Sequence, residues 1–116
     1  MKKVQLRGKR ILITGITGFV GSNLAKKLKS LGVVVYGISR FLASNKRNLR
    51  ANILDYSVIS NFIKVSKIQI CFHLASASLV EEGQLHPYQT FKVNVDGTLN
   101  ILESARNNKL EKVIIA

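Results

Sequence analysis

The apolar residues of this chain come in short blocks, and the spacing within each block assigns its element. Ile11-Leu12-Ile13 is an uninterrupted apolar run between Arg10 and Thr14, the pattern of a strand covered on both faces. From Ser22 to Leu31 the period becomes helical. Leu24, Leu28 and Leu31 are expected to face inward, Lys26, Lys27 and Lys29 outward, with Gly32 as the stop. Val33 to Ile38 reads as a second strand, rich in β-branched residues, and Leu49 to Ile53 as a short third. Asp55 is placed to cap a helix covering Val58, Ile59, Phe62 and Ile63. Ile68 to Leu74 is a fourth strand. A long helix follows from Tyr88 to Asn107, with Phe91, Val95, Leu99 and Leu102 on one face, and Lys112 to Ala116 starts a fifth strand. Strands alternating with helices through short connections predict an α/β fold: an open parallel sheet in three layers, wound by right-handed crossovers.

Between the first strand and the first helix stands Thr14-Gly15-Ile16-Thr17-Gly18-Phe19-Val20-Gly21. Glycines spaced by three at a strand-to-helix turn leave a ring of backbone N–H groups at a helix N-terminus, which suits a pyrophosphate. Gly15 would allow the tight turn, Gly18 the approach of phosphate to backbone, and Gly21 the close packing of helix on sheet. Thr17 lies within the same loop, and Phe19 and Val20 are expected to point their side chains toward the core. A plain structural turn is the alternative. No Gly-Lys-Ser/Thr follows, which argues against a P-loop.

The other candidate positions lie at the ends of the later strands. Ser39-Arg40 closes the second strand where an acid would accept the ribose hydroxyls of NAD; a guanidinium there can pair with a 2′-phosphate instead, which favours NADP over NAD. Arg40 is equally readable as an ordinary surface arginine. Asn52, beside Ile53, is placed either to bond an adenine edge or to form a turn. After the fourth strand, Leu74-Ala75-Ser76-Ala77 leaves room for a flat ring or a ribose. His73 is expected to make a packing or hydrogen-bond contact beneath the glycine loop in preference to acting as a base. His86 carries no signal.

Charge narrows the partners. The chain has 116 residues, 18 lysines and arginines against six acids, and a net charge of +12. The cations are scattered and no aromatic residues alternate with them, so nucleic acid is not favoured and a solvated face that suits an anionic cofactor is. Cys71 lies in an apolar run as a small hydrophobe. With no second soft ligand, and with Glu81-Glu82 lacking companions, no metal site is expected. No apolar run reaches membrane-spanning length and none reads as a signal peptide, so a soluble cytoplasmic protein is expected.

Four segments in order resemble the extended short-chain dehydrogenase/reductase family, the NAD(P)-dependent nucleotide-sugar epimerases and dehydratases. They are the glycine loop Thr14 to Gly21; Ala51-Asn52-Ile53, where the family usually has an aspartate facing adenine; His73-Leu74-Ala75-Ser76; and Asn94-Val95-Asp96-Gly97-Thr98. The resemblance covers nearly the whole chain and implies a Rossmann-type NAD(P)-binding fold in nucleotide-sugar metabolism, of lyase or isomerase type. Asn94 is implied to hold the geometry near the active site, and Ser78-Leu79-Val80 to border the nicotinamide and sugar. Val35 to Arg40 and Ala77 to Val80 resemble the sugar 4,6-dehydratases more than the UDP-galactose epimerases.

In that family the cofactor takes a hydride from a sugar carbon while a tyrosinate removes the hydroxyl proton, aided by a lysine and a serine or threonine. Those groups follow the fifth strand, beyond Ala116. The resemblance therefore implies an incomplete NAD(P)-binding domain over residues 1–116, lacking the C-terminal substrate domain, inactive by itself, and prone to self-association through Val113, Ile114 and Ile115. Tyr88-Gln89-Thr90-Phe91-Lys92 has the spacing of the catalytic pair but precedes Asn94, and reads as an ordinary helix start. A stand-alone, non-catalytic dinucleotide-binding or regulatory module is the alternative function.

Overall fold

Alternation along β1 (Arg10–Thr14) divides the interior in two. Ile11 and Ile13 face one side, level with Val35 of β2 (Val34–Ser39), and are covered by Ala25 and Leu28 of α1 (Phe19–Ser30). Leu12 faces the other side with Tyr36 and Ile38. There it meets Ile59 and Ile63 of α2 (Tyr56–Ser66), Cys71 of β4 (Ile70–His73) and Ile101 of α3 (Pro87–Asn107). This computed structural model describes residues 5–75 and 86–116.

The remaining strands are β3 (Asn48–Arg50) and β5 (Lys112–Ile115). All pairings are parallel and the order is β3-β2-β1-β4-β5. With neighbours on both edges and helices on both faces, Ile11, Leu12, Ile13 and Thr14 are completely buried. The chain builds outward from β1 on one side and then returns across it to build on the other. The strand order therefore reverses between β1 and β4, the place where a crevice opens at the carboxyl ends of the strands.

Several elements depart from the sequence reading. α1 starts at Phe19 rather than Ser22, so its inward face is Gly21, Ala25 and Leu28. Phe19 and Val20 lie outside it and are 86% and 63% exposed, not turned toward the core. Leu31 sits at the C-cap and is exposed as well. β3 ends at Arg50 because residues 51–53 leave the sheet for a turn. In that turn the Leu54 N–H donates to Asn52 Oδ1 at 3.0 Å, and the Asp55 N–H to the Asn52 carbonyl at 2.9 Å. Asp55 holds the N-cap position of α2, but its side chain makes no capping bond.

α3 buries its small residues. Gly97, Ile101, Ser104 and Ala105 face the sheet, while Phe91, Val95, Leu99 and Leu102 are exposed. Close approach decides which face is covered. A Cβ on Gly97 would lie 2.7 Å from Ile53 Cγ2, so only glycine lets the helix come this near. Asn100 secures the contact by donating from Nδ2 to the Ile53 carbonyl at 3.1 Å. Among the described residues no helix is long and apolar enough to cross a membrane.

Ser104 Oγ is buried without a hydrogen-bond partner. An unpaired buried hydroxyl opposes folding, so Ser104→Ala should stabilise the chain by about 1 kcal/mol in urea unfolding. A loss of stability in that variant would contradict the packing described here.

Candidate functional site

The site begins where β1 runs out. Gly15 takes φ 71°, a left-handed conformation that favours glycine, and its N–H donates to the Ile38 carbonyl at 2.9 Å. A Cβ there would meet Ala75 N at 2.9 Å. At Gly21 a Cβ would run into the Gly15 carbonyl oxygen, so α1 can start this close to the turn only without a side chain. Gly18 is different. Its φ of −72° suits any residue, and the nearest atom to an added Cβ is the Gly15 oxygen at 3.3 Å. The space in front of Gly18 is open cleft.

That cleft, about 610 Å³, lies at the crevice where the strand order reverses. Its floor is Gly15, Thr17, Gly18 and the first turn of α1, including Phe19, Val20 and Gly21. Ser39 and Arg40 form one wall, Asn52 and Ile53 the next, and Leu74 and Ala75 the far side. Twelve expected residues thus meet around one space: Gly15, Thr17, Gly18, Phe19, Val20, Gly21, Ser39, Arg40, Asn52, Ile53, Leu74 and Ala75. Ser76 and Ala77, with Ser78-Leu79-Val80 and Glu81-Glu82, lie outside the described residues. Asn94 does not line the cleft; it stands on α3, where its carbonyl accepts the Thr98 hydroxyl at 2.6 Å.

The sequence reading missed Ile38, Phe41, Ala51, Gln89, Thr90 and Val93 as lining residues. Ile38, Phe41 and Ala51 adjoin positions it did name. Gln89, Thr90 and Val93 come from the first turns of α3, a placement with no local signal. Tyr88 and Lys92 share another face of that helix, are exposed, and do not line the cleft.

Electrostatics suit an anion. Among the described residues, Arg40 is the one charged residue lining the cleft. α1 has no acid in its first turn, and its N-cap glycine supplies no capping side chain. Among the described residues no backbone partner is taken by the N–H groups of Phe19, Val20 or Gly21, so the positive end of the helix faces the cleft. Ser39 ties the adjoining wall together: its Oγ lies 2.6 Å from Thr17 Oγ1 and accepts the Phe41 N–H at 3.1 Å. The Arg40 guanidinium rests over the Phe41 ring, 5.2 Å from its centroid.

Below the loop, Thr14 Oγ1 accepts the N–H groups of Leu74 and Ala75 at 3.0 and 3.1 Å and lies 2.7 Å from His73 Nδ1. His73 Nε2 lies 3.2 Å from Thr98 Oγ1. Burial lowers the His73 pKa below its ordinary value near 6.5, so the imidazole is held neutral under the cleft, as expected of a structural contact. Cys71 is also buried, its thiol pushed up to about 12, and it behaves as a hydrophobe. Among the described residues no cluster of potential metal ligands occurs.

An open parallel α/β sheet of Rossmann type with a glycine-lined cleft at its switch point defines the class. The pattern of the NAD dependent epimerase/dehydratase family matches residues 11–116, and the chain belongs to that family. It is 33% identical over 112 residues to CDP-glucose 4,6-dehydratase of Salmonella typhimurium, covering 86% of this chain and 31% of the relative. To UDP-glucuronic acid decarboxylase 1 of Danio rerio it is 37% identical over 106 residues, covering 84% and 25%. The UDP-glucose 4-epimerase of Thermus thermophilus, solved with NAD, superposes with a TM-score of 0.82 at 25% identity over 90% of this chain and 36% of that one. The chain thus spans 31% and 25% of the length of those curated relatives.

The lowered His73 pKa has a thermodynamic consequence. An unfolded chain binds this proton more readily than the folded one, so the contribution is complete above pH 6.5 and is lost as pH falls through the folded value. Urea unfolding between pH 8 and 5 should show stability falling below about pH 6.5, by at most about 1.4 kcal/mol per pH unit for one proton. The part of the slope due to His73 should vanish in His73→Gln.

Proposed function

We propose that residues 1–116 form the NAD(P)-binding part of a nucleotide-sugar epimerase or 4,6-dehydratase, whose catalytic and sugar-binding groups lie outside this segment. The observation that carries this reading is the open space in front of Gly18, facing N–H groups of α1 without a backbone partner, in a cleft with no acidic lining residue among the described residues. The cleft is also within the usual size range of small-molecule sites.

In this reading Gly15, Gly18 and the N–H groups of Phe19, Val20 and Gly21 hold the pyrophosphate. Thr17 and Ser39 fix the loop beside the adenosine ribose. Arg40, able to leave the Phe41 ring, pairs with a 2′-phosphate, which favours NADP; the Thermus epimerase was solved with NAD. Asn52 already forms a turn through Oδ1, and its amide nitrogen remains for the adenine edge beside Ile53. Leu74 and Ala75 border the nicotinamide side, and Asn94 supports them from α3. When bound, the nicotinamide supplies a hydride acceptor; the chain's own residues position it and exclude water.

Calorimetric titration with NADP and NAD tests this. Binding should be lost in Gly18→Val, whose side chain would enter the cleft. Arg40→Ala should weaken NADP about tenfold more than NAD, the scale of one charge-assisted hydrogen bond. A folded chain that binds neither nucleotide overturns the reading, and equal losses for both nucleotides in Arg40→Ala overturn the NADP preference.

A further inference from the structure

The chain of contacts beneath the cleft determines its own proton positions. Thr98 has one hydroxyl proton, and it is donated to the Asn94 carbonyl at 2.6 Å. Its oxygen can therefore only accept from His73 Nε2, 3.2 Å away, which places the imidazole proton on Nε2. Nδ1 is left bare and accepts the Thr14 hydroxyl proton at 2.7 Å. Thr14 Oγ1 then has both lone pairs for the N–H groups of Leu74 and Ala75, the Leu74 N–H being shared with the Thr14 carbonyl at 3.2 Å and the Ala75 N–H held by the hydroxyl. Every proton in the series has one place, and the series joins β1, β4, α3 and the Leu74–Ala75 wall.

We propose that His73 is a positioning residue for the cleft: a neutral, Nε2-protonated imidazole that orients the Thr14 hydroxyl so that Leu74 and Ala75 stand at the spacing a nicotinamide nucleotide requires. The inference rests on the cofactor reading above. It extends that reading to a residue that does not line the cleft and touches no ligand. A second proton on Nδ1 would face the Thr14 oxygen, whose lone pairs are already occupied, and would turn the wall-holding hydroxyl away. Among the described residues the imidazole is hydrogen-bonded to Thr14 from β1 and Thr98 from α3, and Ile115 is the register partner of His73 on β5. The nearest charged residues along those elements are Arg10, Asp96 and Lys112, and burial lowers the His73 pKa.

The test uses the full 116-residue chain. Nitrogen-15 spectra of the imidazoles, with His73→Gln to separate His73 from His86, should show a neutral His73 protonated at Nε2 at pH 7. Titration with NADP and NAD should give affinities at least about tenfold weaker in Thr14→Val and Thr98→Val, with Thr14→Ser and Thr98→Ser close to the parent. Affinity of the folded parent should hold constant from pH 8 to 6.5 and fall only as pH drops further, through the lowered His73 pKa. His73→Gln should lose that dependence when affinity is measured per folded molecule, with the folded fraction at each pH taken from urea unfolding, so that the pH dependence of stability is separated from it. Thermal melts identify variants that do not fold; where the valine variants do not, a pH dependence that persists in folded His73→Gln overturns the proposal. An Nδ1-protonated imidazole, or folded valine variants that bind like the parent, overturns the proposal alone. A parent chain with the expected tautomer but no affinity for either nucleotide overturns the cofactor reading and, with it, the ligand-positioning role.

Discussion

Three backbone segments meet within contact distance at the end of β1, and the cleft depends on that meeting. The Gly15 turn, the start of α1 at Gly21 and the departure of β4 at Ala75 approach so closely that a Cβ at either glycine would collide with backbone. The approach opens the site as well as closing the core. With β2 and β4 hydrogen-bonded on opposite sides of β1, the strand order reverses beside β1 and the α1 N-terminus faces the cleft there. Polar groups must be satisfied in such a place, and Thr14 does this for two amides of the far wall while remaining buried.

The same constraint explains why the motif residues differ in kind. Gly15 answers a backbone angle, Gly21 a carbonyl, and Gly97 the side chain of Ile53; Gly18 answers nothing in the protein beyond one 3.3 Å contact. Only the last is left for a ligand to explain. Thr98 and Asn100, one and three positions after Gly97 on α3, anchor that helix to His73 and to the Ile53 carbonyl respectively, so one turn of α3 supports two walls of the cleft. The exposed seam of Phe91, Val95 and Leu99 on the same helix plays no part in this support.

The order of strands and helices, and the glycine loop between the first two elements, were legible in the amino-acid sequence because each is a local property. Apolar period, stop residues and backbone freedom at Gly15 or Gly32 act over a few neighbouring positions, and they determined the α/β class, the place of the cleft and most of its lining. Tertiary structure alone decided which helical faces are covered. Leu24, Leu28 and Leu31 share a spacing, yet Leu31 is exposed because α1 ends before it, and α3 buries small residues because Ile53 demands close approach. It alone brought Gln89, Thr90 and Val93 to the cleft and joined Thr14, His73 and Thr98. Thr14 and His73 are 59 positions apart, and no local pattern can specify a proton shared across that separation; only the register of β1 on β4 does.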